Sequence, residues 1–356
     1  MTDERAWDVE PYRPGDEAAI LDLFRSEFGR ERSLEHWRWQ FLENPYGGPF
    51  ISLAWHRSER FLVGNQVLMP FPLAVAGRRL LAGQSLDLVV HHDFRRQGVF
   101  EHTALQAFET LRQAGGAAVV AFPNESSYPG FVRTLKWRRI LEPTFWSLRL
   151  GVRRKLVRAL GAAPPAAMLD AGFRLLAGRK LSRLARAAQA ATSGVDVEHS
   201  DRLPEDTDSL WDRERKVVDL GLWKDREYLA WRYERNPDHA FHFHRLRRNG
   251  TLEGLLVSTE HAGVALLCEL LVPSRSIAWG RRLVAEACLH HARARVDEVH
   301  FLGHDAGYFG AALEGFASRP APGNVYVGRA LADEALTERM AQSSRWTISY
   351  GDGDFV

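Results

Sequence analysis

Residues 86–113 carry the pattern that most restricts the fold of this chain: an apolar run, a basic turn and an amphipathic helix. The run 86–90 predicts a buried strand, and the residues that follow predict a polar turn closed by Gly98. Helical periodicity over 101–113 predicts a helix with one apolar face. A helix that starts after a basic, glycine-containing turn offers free backbone N–H groups and its positive dipole end to an anion. The sequence therefore predicts a mixed α/β unit with a pyrophosphate-binding turn.

A short motif occurs twice in the chain, as WQFLENP at 39–45 and as WRYERNP at 231–237. Each copy precedes a strand-like run, a polar turn and a second strand-like run, and a helix candidate follows later in each half. This order favours duplication of one α/β unit, with chance similarity of a short aromatic motif as the alternative.

The net charge of +2 over 356 residues hides an uneven distribution. Residues 1–148 sum to −1, residues 149–190 to +9 and residues 191–356 to −6. We therefore predict three segments: a first domain at 1–148, a basic helical linker at 149–194 and a second domain at 195–356. Most such charged helices have solvated faces, although contact with a membrane surface or with RNA backbone are alternatives.

Composition excludes several other classes of protein. Two cysteines, Cys268 and Cys288, cannot form a disulfide framework and are typical of a reducing compartment. The polar N-terminus does not resemble a signal peptide, and no apolar run is long enough to span a bilayer, so we expect a cytoplasmic protein. The histidine pairs at 242–244 and 290–291 lack the spacing of a metal site with cysteines or acids, so we expect no metal.

The turn at 90–100 resembles the acyl-CoA loop of the GNAT acetyltransferase superfamily, in which a strand leads through Gln/Arg-x-x-Gly-x-Gly/Ala into a helix. Arg95 and Gly98 match this pattern, whereas Phe100 stands where Gly or Ala is usual and His92 where Pro is usual. The next strand candidate, 117–122, is followed by Asn124, which matches the family's pantetheine-contacting Asn. The resemblance covers residues 7–148 well and 200–330 more weakly.

This resemblance implies an α/β (α+β) fold with two GNAT-like, mixed, mostly antiparallel sheets flanked by helices and joined by the basic segment. It implies acetyl-CoA as acyl donor and a splay between strands 86–90 and 117–122 that admits pantetheine. The residues implied in cofactor binding are Leu88, Val89, Val90, Arg95, Arg96, Gln97, Gly98, Val99, Phe100, Asn124 and Phe131.

The resemblance also nominates catalytic residues. The family's general-acid Tyr falls in the register of Phe131, so the acid is either shifted to Tyr128 or absent; a phenol can protonate a thiolate, and a phenyl ring cannot. Asp87 is a candidate base because an acid in an apolar strand is unusual, and local pairing with an Arg is the alternative. In Eis-like tandem enzymes the C-terminal carboxylate enters the first unit as base, which nominates Val356. In the second half the loop at 272–280 puts Gly280 out of register, so we expect no pyrophosphate cradle there.

These expectations favour an acetyl-CoA-dependent N-acetyltransferase that acts on a small amine, such as an aminosugar, aminoglycoside, amino acid or polyamine, by direct attack in a ternary complex. A tRNA-dependent aminoacyl transferase of tandem-GNAT architecture and a non-catalytic acyl-CoA-binding protein are the alternatives. The sequence leaves the oligomeric state open.

Overall fold

A computed structural model describes residues 5–160, 164–305, 307–321, 323 and 325–354 of the chain, which forms two compact units. The strands are β1 (Trp7–Pro11), β2 (Phe50–His56), β3 (Leu62–Val75), β4 (Arg78–Val90), β5 (Ala118–Ala121), β6 (Arg138–Leu141), β7 (Thr144–Arg149), β8 (Asp196–Ser200), β9 (Leu220–Leu222), β10 (Phe241–Arg248), β11 (Thr251–His261), β12 (Val264–Leu271), β13 (Glu298–Gly303), β14 (Ala317–Pro320) and β15 (Tyr326–Ala330). The helices are α1 (Glu17–Phe28), α2 (Leu34–Phe41), α3 (Val99–Gln113), α4 (Arg153–Leu160), α5 (Pro164–Ala190), α6 (Thr207–Glu214), α7 (Arg226–Leu229), α8 (Ile277–Arg293), α9 (Tyr308–Ala312) and α10 (Glu334–Met340).

The first unit has the strand order β1-β2-β3-β4-β5-β15-β6. Neighbours are antiparallel except β4 and β5, which are parallel and are joined by α3. Ala104, Ala107 and Leu111 on one face of α3 are fully buried in the core, which explains the apolar period of this helix. The predicted strand–turn–helix is therefore present, with the strand longer than the sequence indicated.

The second unit repeats this arrangement, with the strand order β8-β10-β11-β12-β13-β7-β14. Its only parallel neighbours among the described strands are β12 and β13, which α8 joins as α3 joins β4 and β5. Both orders place the parallel pair in the same position. The predicted fold, two mixed and mostly antiparallel sheets flanked by helices, is confirmed.

The repeated motif has the same local structure in both copies. Oδ1 of Asn44 accepts a hydrogen bond from the backbone N–H of Tyr46 at 2.9 Å, and Oδ1 of Asn236 accepts one from Asp238 at 2.9 Å. Trp39 and Trp231 at the start of each copy are buried. A shared turn at equivalent places in the two halves supports duplication over chance similarity.

The units differ in extent from the three predicted segments. The first comprises the described residues of Met1–Leu141, Arg235–Asp238 and Pro322–Ser343, and the second comprises the rest. Two strands cause the difference: β7 pairs with β13 and β14, and β15 pairs with β5 and β6. The boundary therefore falls near 141 instead of 148, and a late segment returns to the first sheet.

The basic segment belongs to the second unit instead of standing apart as a linker. Helix α5 buries Leu181, Ala185 and Ala188, which recur at helical spacing, and it contacts α8. Arg174 of α5 donates from Nε to Asp170 at 2.8 Å and pairs with Asp297, so part of the positive charge is used inside this unit. No helix in the described part of the chain has the length and apolar character needed to cross a membrane.

Candidate active site

The parallel ladder between β4 and β5 ends partway along β4. Its register joins Ala82 to Ala118, Gly83 to Val119 and Gln84 to Val120, while β4 continues to Val90. The main chain of 85–90 therefore runs beyond its paired neighbour on that side. This is the place where the sequence analysis expected the strands to splay.

A β-bulge interrupts β4 within the stretch that runs beyond β5. Asn65 lies opposite Val89 and Val67 opposite Leu86, so β4 carries one residue more than β3 between these pairs. Asp87 lies in the bulge with a φ of 43°, in the left-handed region, and its carbonyl accepts a hydrogen bond from Asn65 Nδ2 at 2.8 Å. A bulge bends a strand and redirects its backbone groups, here beside the end of the ladder.

The carboxylate of Asp87 forms an ion pair with Nη1 of Arg32. Both side chains are largely buried, with 7% of Asp87 and 14% of Arg32 exposed. An Arg partner, the alternative to a catalytic role for Asp87, is therefore present, but it comes from 55 residues away and not from the local sequence. Leu88, Val89 and Val90 follow the bulge, with the Val89 side chain buried in the unit.

The turn after β4 leads directly into the start of α3. Gly98 is the N-cap with a φ of 85°, and the first helical hydrogen bond runs from His102 N to Gly98 O at 3.1 Å. The N–H groups of Val99, Phe100 and Glu101 therefore precede any acceptor in the helix and face outward from its first turn. A positive φ at Gly98 suits glycine and would strain any other residue.

Buried Val99 fixes this helix start to the sheet. A Cβ built on Gly64 of β3 would lie 2.4 Å from Cγ1 of Val99, so the close approach depends on glycine at position 64. Among the other turn residues, Gln97 donates from Nε2 to Asp93 O at 2.8 Å. Arg96 is exposed and forms no ion pair with any residue that the structure describes.

Glu27 at the end of α1 fixes the turn between β4 and α3 through hydrogen bonds to His92 and Arg95. Its carboxylate accepts from the His92 backbone N–H at 3.1 Å, from His92 Nδ1 at 2.9 Å and from Arg95 Nη2 at 2.6 Å. Burial alone would raise the pKa of Glu27, but the hydrogen bonds from His92 and the charge of Arg95 lower it below its usual value. The hydrogen bond to Glu27 in turn raises the pKa of His92.

Asn124 organises the segment that follows β5. Its Oδ1 accepts hydrogen bonds from the backbone N–H groups of Ser126 at 3.1 Å and Ser127 at 2.9 Å, and from both hydroxyls. The carbonyl of Asn124 accepts from Tyr128 N at 2.9 Å. Tyr128 is partly buried beside the core of the first unit.

Phe131 lies in the core with 3% of its surface exposed. Its ring contacts Phe100 at 5.8 Å and Trp137 at 4.7 Å between centroids. A Cβ added to Gly130 would come within 2.8 Å of Phe100 Cζ, so the Phe100 ring lies directly on this backbone. Phe100, which departs from the family pattern, thus joins the first turn of α3 to the segment after Asn124.

The equivalent cleft of the second unit contains the last described segment of the chain, residues 344–354, which we call the tail. The β12–β13 ladder ends at Leu267 and Phe301, and beyond it His304 and Ile348 exchange backbone hydrogen bonds at 2.7 and 2.8 Å. The described tail therefore lies in the second unit, where the sequence analysis had considered entry into the first. Val356, the proposed carboxylate base, lies outside the described residues.

Buried ion pairs fix this tail segment. Lys224 Nζ lies 2.6 Å from Glu269 Oε2 on β12 and 2.6 Å from Asp352 Oδ1 in the tail. Burial raises the pKa of Asp352 to about 6, with Lys224 acting in the opposite direction. Gly280 lies within α8, where a Cβ would come within 2.4 Å of the Tyr308 hydroxyl. This glycine therefore allows close packing against Tyr308 and does not stand at the start of a helix, as Gly98 does.

Glu27, Arg32 and Lys224 were not among the residues predicted from the sequence. Each acts on a partner far away in the sequence, 68 residues for Glu27 and Arg95 and 55 for Arg32 and Asp87. No local spacing encodes such pairs. The only available signal was an acid or base near an otherwise apolar period, which many exposed residues share.

Comparisons with known proteins agree with this geometry. Residues 8–140 match the family model described as an acetyltransferase (GNAT) domain. Similar solved structures include a GCN5-related N-acetyltransferase from Kribbella flavida (13% identity, 94% of this chain and 74% of that chain, TM-score 0.61). A tandem GNAT protein from the clavulanic acid biosynthesis pathway is also similar (16% identity, 92% and 99%, TM-score 0.53).

Saccharomyces cerevisiae N-myristoyltransferase with bound myristoyl-CoA is another structural neighbour (12% identity, 91% and 82%, TM-score 0.56). At these identities the structural neighbours establish the fold. No curated protein sequence matches the chain. Residues 8–140 of the first unit thus match a GNAT acetyltransferase domain, and the chain shares its fold with solved GNAT structures, a tandem GNAT protein among them.

Proposed function

We propose that the first unit binds acyl-CoA, with the pyrophosphate on the turn formed by Arg95, Arg96, Gln97 and Gly98 and on the N–H groups of Val99 and Phe100. One observation carries this proposal. The first turn of α3 has free backbone N–H groups, and it directly follows a basic turn that the buried Glu27 holds in place. Amides at a helix N-terminus and neighbouring guanidinium groups are both favourable for phosphate. Arg96 keeps its full charge available for the ligand.

The pantetheine arm follows from the end of the β4–β5 ladder. An extended amide chain can pair with Leu88, Val89 and Val90 on the β5 side of β4, where the ladder has ended, as an added strand does at a sheet edge. Asn124 at the end of β5 flanks the same cleft and supplies a side-chain amide. Phe131 and Phe100 contribute an apolar wall behind the turn.

The reaction we propose is attack by a neutral amine on the thioester carbonyl. A backbone N–H near Val90, redirected by the bulge at Asp87, polarises the carbonyl oxygen. The C–N bond forms, the C–S bond breaks, and the thiolate takes a proton from the Tyr128 hydroxyl. The ammonium proton leaves to a base, directly or through water. Asp87 is the candidate base beside this cleft, although its ion pair with Arg32 makes it a weak one.

We propose acetyl-CoA as donor, a small primary amine as acceptor and the cytoplasm as location. The hydroxyls of Ser126 and Ser127 beside Asn124 donate to Asn124 Oδ1 and not to a base that would activate them, so the transfer we propose is direct, within a ternary complex. The likeness to an N-myristoyltransferase at fold level makes donor length a question for experiment. The unpaired cleft belongs to the first unit, because the tail lies at the corresponding place in the second.

The test is thiol release from acetyl-, butyryl- and myristoyl-CoA with a panel of amines. The proposal predicts acceptor-dependent thiol release with acetyl-CoA. In Tyr128→Phe it predicts a loss of kcat with little change in KM for acetyl-CoA. Arg138→Gln is the matched control, because Arg138 pairs on the surface with Glu338. Tight binding without turnover of any amine would instead identify an acyl-CoA-binding protein. Absence of acyl-CoA binding, with transfer from an aminoacyl-tRNA, would overturn the proposal.

A further inference from the structure

A cluster of histidines in the second unit lies apart from every group used above. His199 is on β8, His242 on β10 and His290 on α8. One ring nitrogen from each lies within 4.8 Å of the others. The ring centroids of His199 and His290 are 4.0 Å apart, and those of His242 and His290 are 4.6 Å apart. Three imidazoles thus converge from three elements on one point.

The fold explains this convergence. In the β8–β10 ladder His199 is the direct partner of His244, and His242 lies two residues earlier on the same face of β10. Helix α8 crosses that face and brings His290 and His291 against it. The histidines at 242–244 and 290–291 seemed to lack ligand spacing because the third donor, His199, lies far away in the sequence, although its strand pairs with β10.

Two further histidines, His244 and His291, form an inner pair next to the outer three, His199, His242 and His290. His244 Nε2 lies 3.2 Å from Ser258 Oγ, and His291 Nε2 lies 2.9 Å from the same hydroxyl. His291 Nδ1 also faces Glu260 Oε2 at 3.3 Å. These contacts commit the inner pair to protein partners and leave the outer three as available donors.

One nitrogen of the outer set lacks a partner. Among the residues that the structure describes, His242 Nδ1 is a buried atom with no hydrogen bond. Leaving a buried polar nitrogen unsatisfied costs about 1–3 kcal/mol, so such an atom calls for an explanation. A ligand bound between the three rings would supply the missing partner.

The surroundings of His290 and His199 favour the neutral form of these two imidazoles. Burial, together with the neighbouring His199, His291 and His242, lowers the pKa of His290 to about 4, with Glu260 acting in the opposite direction. Burial also lowers the pKa of His199, with His242 and Arg245 in the same direction and Asp201 opposed. Neutral imidazoles have the lone pairs that transition metals require.

We propose that His199, His242 and His290 bind one divalent transition-metal ion of the zinc type. Three imidazole donors with an open fourth position form a known zinc arrangement, with Zn–N distances of about 2.0–2.1 Å. Tetrahedral donors at that distance lie about 3.3 Å apart, so small ring rotations close the present spacing. Nitrogen donors without carboxylates disfavour magnesium and calcium.

Bound metal would fasten β8, the edge strand of this sheet, to β10 and α8. Because the ion binds the folded chain, it stabilises the second unit as its concentration exceeds the dissociation constant. The site is distinct from the proposed acyl-CoA cleft, and its existence does not depend on the proposed function.

The test uses full-length, tag-free protein stripped of metal with a chelator. Calorimetric titration with ZnCl2 should show one ion per chain, and titration with CoCl2 should give the visible spectrum of nitrogen-coordinated cobalt. His199→Ala and His290→Gln should weaken zinc binding at least about tenfold. A loss of that size is typical even when a residue that only hydrogen-bonds to a metal ligand is replaced. His261→Ala is the matched control, since His261 is an exposed histidine of the same unit outside the cluster.

Zinc should also raise Tm in the wild type and in His261→Ala, and it should leave Tm unchanged in the cluster variants. Absence of stoichiometric binding to the wild-type protein would overturn the proposal whatever the variants do. Equal affinity in His290→Gln and His261→Ala would overturn the assignment of the ligands. Circular dichroism of each variant separates loss of the site from loss of the fold.

Discussion

The carboxylate of Glu27 lies 2.6 Å from Nη2 of Arg95 and fixes the basic turn that starts α3. Only 4% of the Glu27 side chain is exposed, whereas 58% of the Arg95 side chain is exposed. The acid is therefore a buried brace for a cation that still faces solvent. The same acid also holds His92 through its backbone and its ring.

Replacing Glu27 by Gln removes this charge at nearly constant volume. Hydrogen bonds to charged groups contribute about 1.5–3 kcal/mol, so Glu27→Gln should lower the free energy of unfolding by about that amount. The pKa of His92, which the hydrogen bond to Glu27 raises, should fall in an NMR titration, and the Kd for acetyl-CoA should rise. Exposed Glu59→Gln is the control, and an unchanged His92 pKa in Glu27→Gln would contradict this role.

The contact between Phe100 and Gly130 makes a second prediction. Gly130→Ala would drive a methyl into the Phe100 ring, which should destabilise the protein by about 1–3 kcal/mol in urea unfolding. Phe100→Ala in the same chain should recover part of this loss, as expected for residues in contact. Gly172→Ala in α5 has open space and should be neutral or slightly stabilising. Additive effects of Gly130→Ala and Phe100→Ala on the free energy of unfolding would contradict the contact between these residues.

The parts of this fold that local patterns encode could be predicted from the sequence. The strand, turn and helix over 86–113 follow from an apolar run, from Gly98 and from a period of 3.6 residues, and the Asn44 turn recurs at Asn236. The unit boundaries could not be predicted, because the pairing of β15 with β5 and β6 depends on contacts between residues 185 to 212 positions apart. The same limit hid Glu27 below the turn and His199 beside His290.

Lys224 makes a prediction about the second unit. Lys224→Met leaves the Glu269 and Asp352 carboxylates buried without their cation, and breaking such a pair typically costs about 3–5 kcal/mol. Denaturant unfolding should show this loss for the second unit. Exposed Lys216→Met should change the free energy of unfolding by less than about 0.5 kcal/mol. A small effect for Lys224→Met would mean that the tail contributes little to this unit.

The histidine cluster predicts acid sensitivity in metal-free buffer. Burial, with His242 and His199, lowers the pKa of His291 from 6.5 to about 4. The unfolded chain then binds more protons between these values, so stability is full above pH 6.5 and is lost as pH falls toward 4. For His291 the loss is on the order of 3 kcal/mol. His291→Gln should flatten the pH dependence of the free energy of unfolding, and His261→Gln should not. Equal slopes in the two variants would contradict this account.

Calorimetric titration with acetyl-CoA tests the central claim, binding at the start of α3, most directly. Gly98→Glu and Gly115→Glu place the same charge on glycines of positive φ, 85° and 87°, at opposite ends of α3. Backbone strain is therefore matched, and only Gly98 lies at the proposed anion site. The account predicts that the wild type and Gly115→Glu bind acetyl-CoA with similar Kd and that Gly98→Glu does not bind. Equal binding by both variants, or none by the wild type, would contradict it.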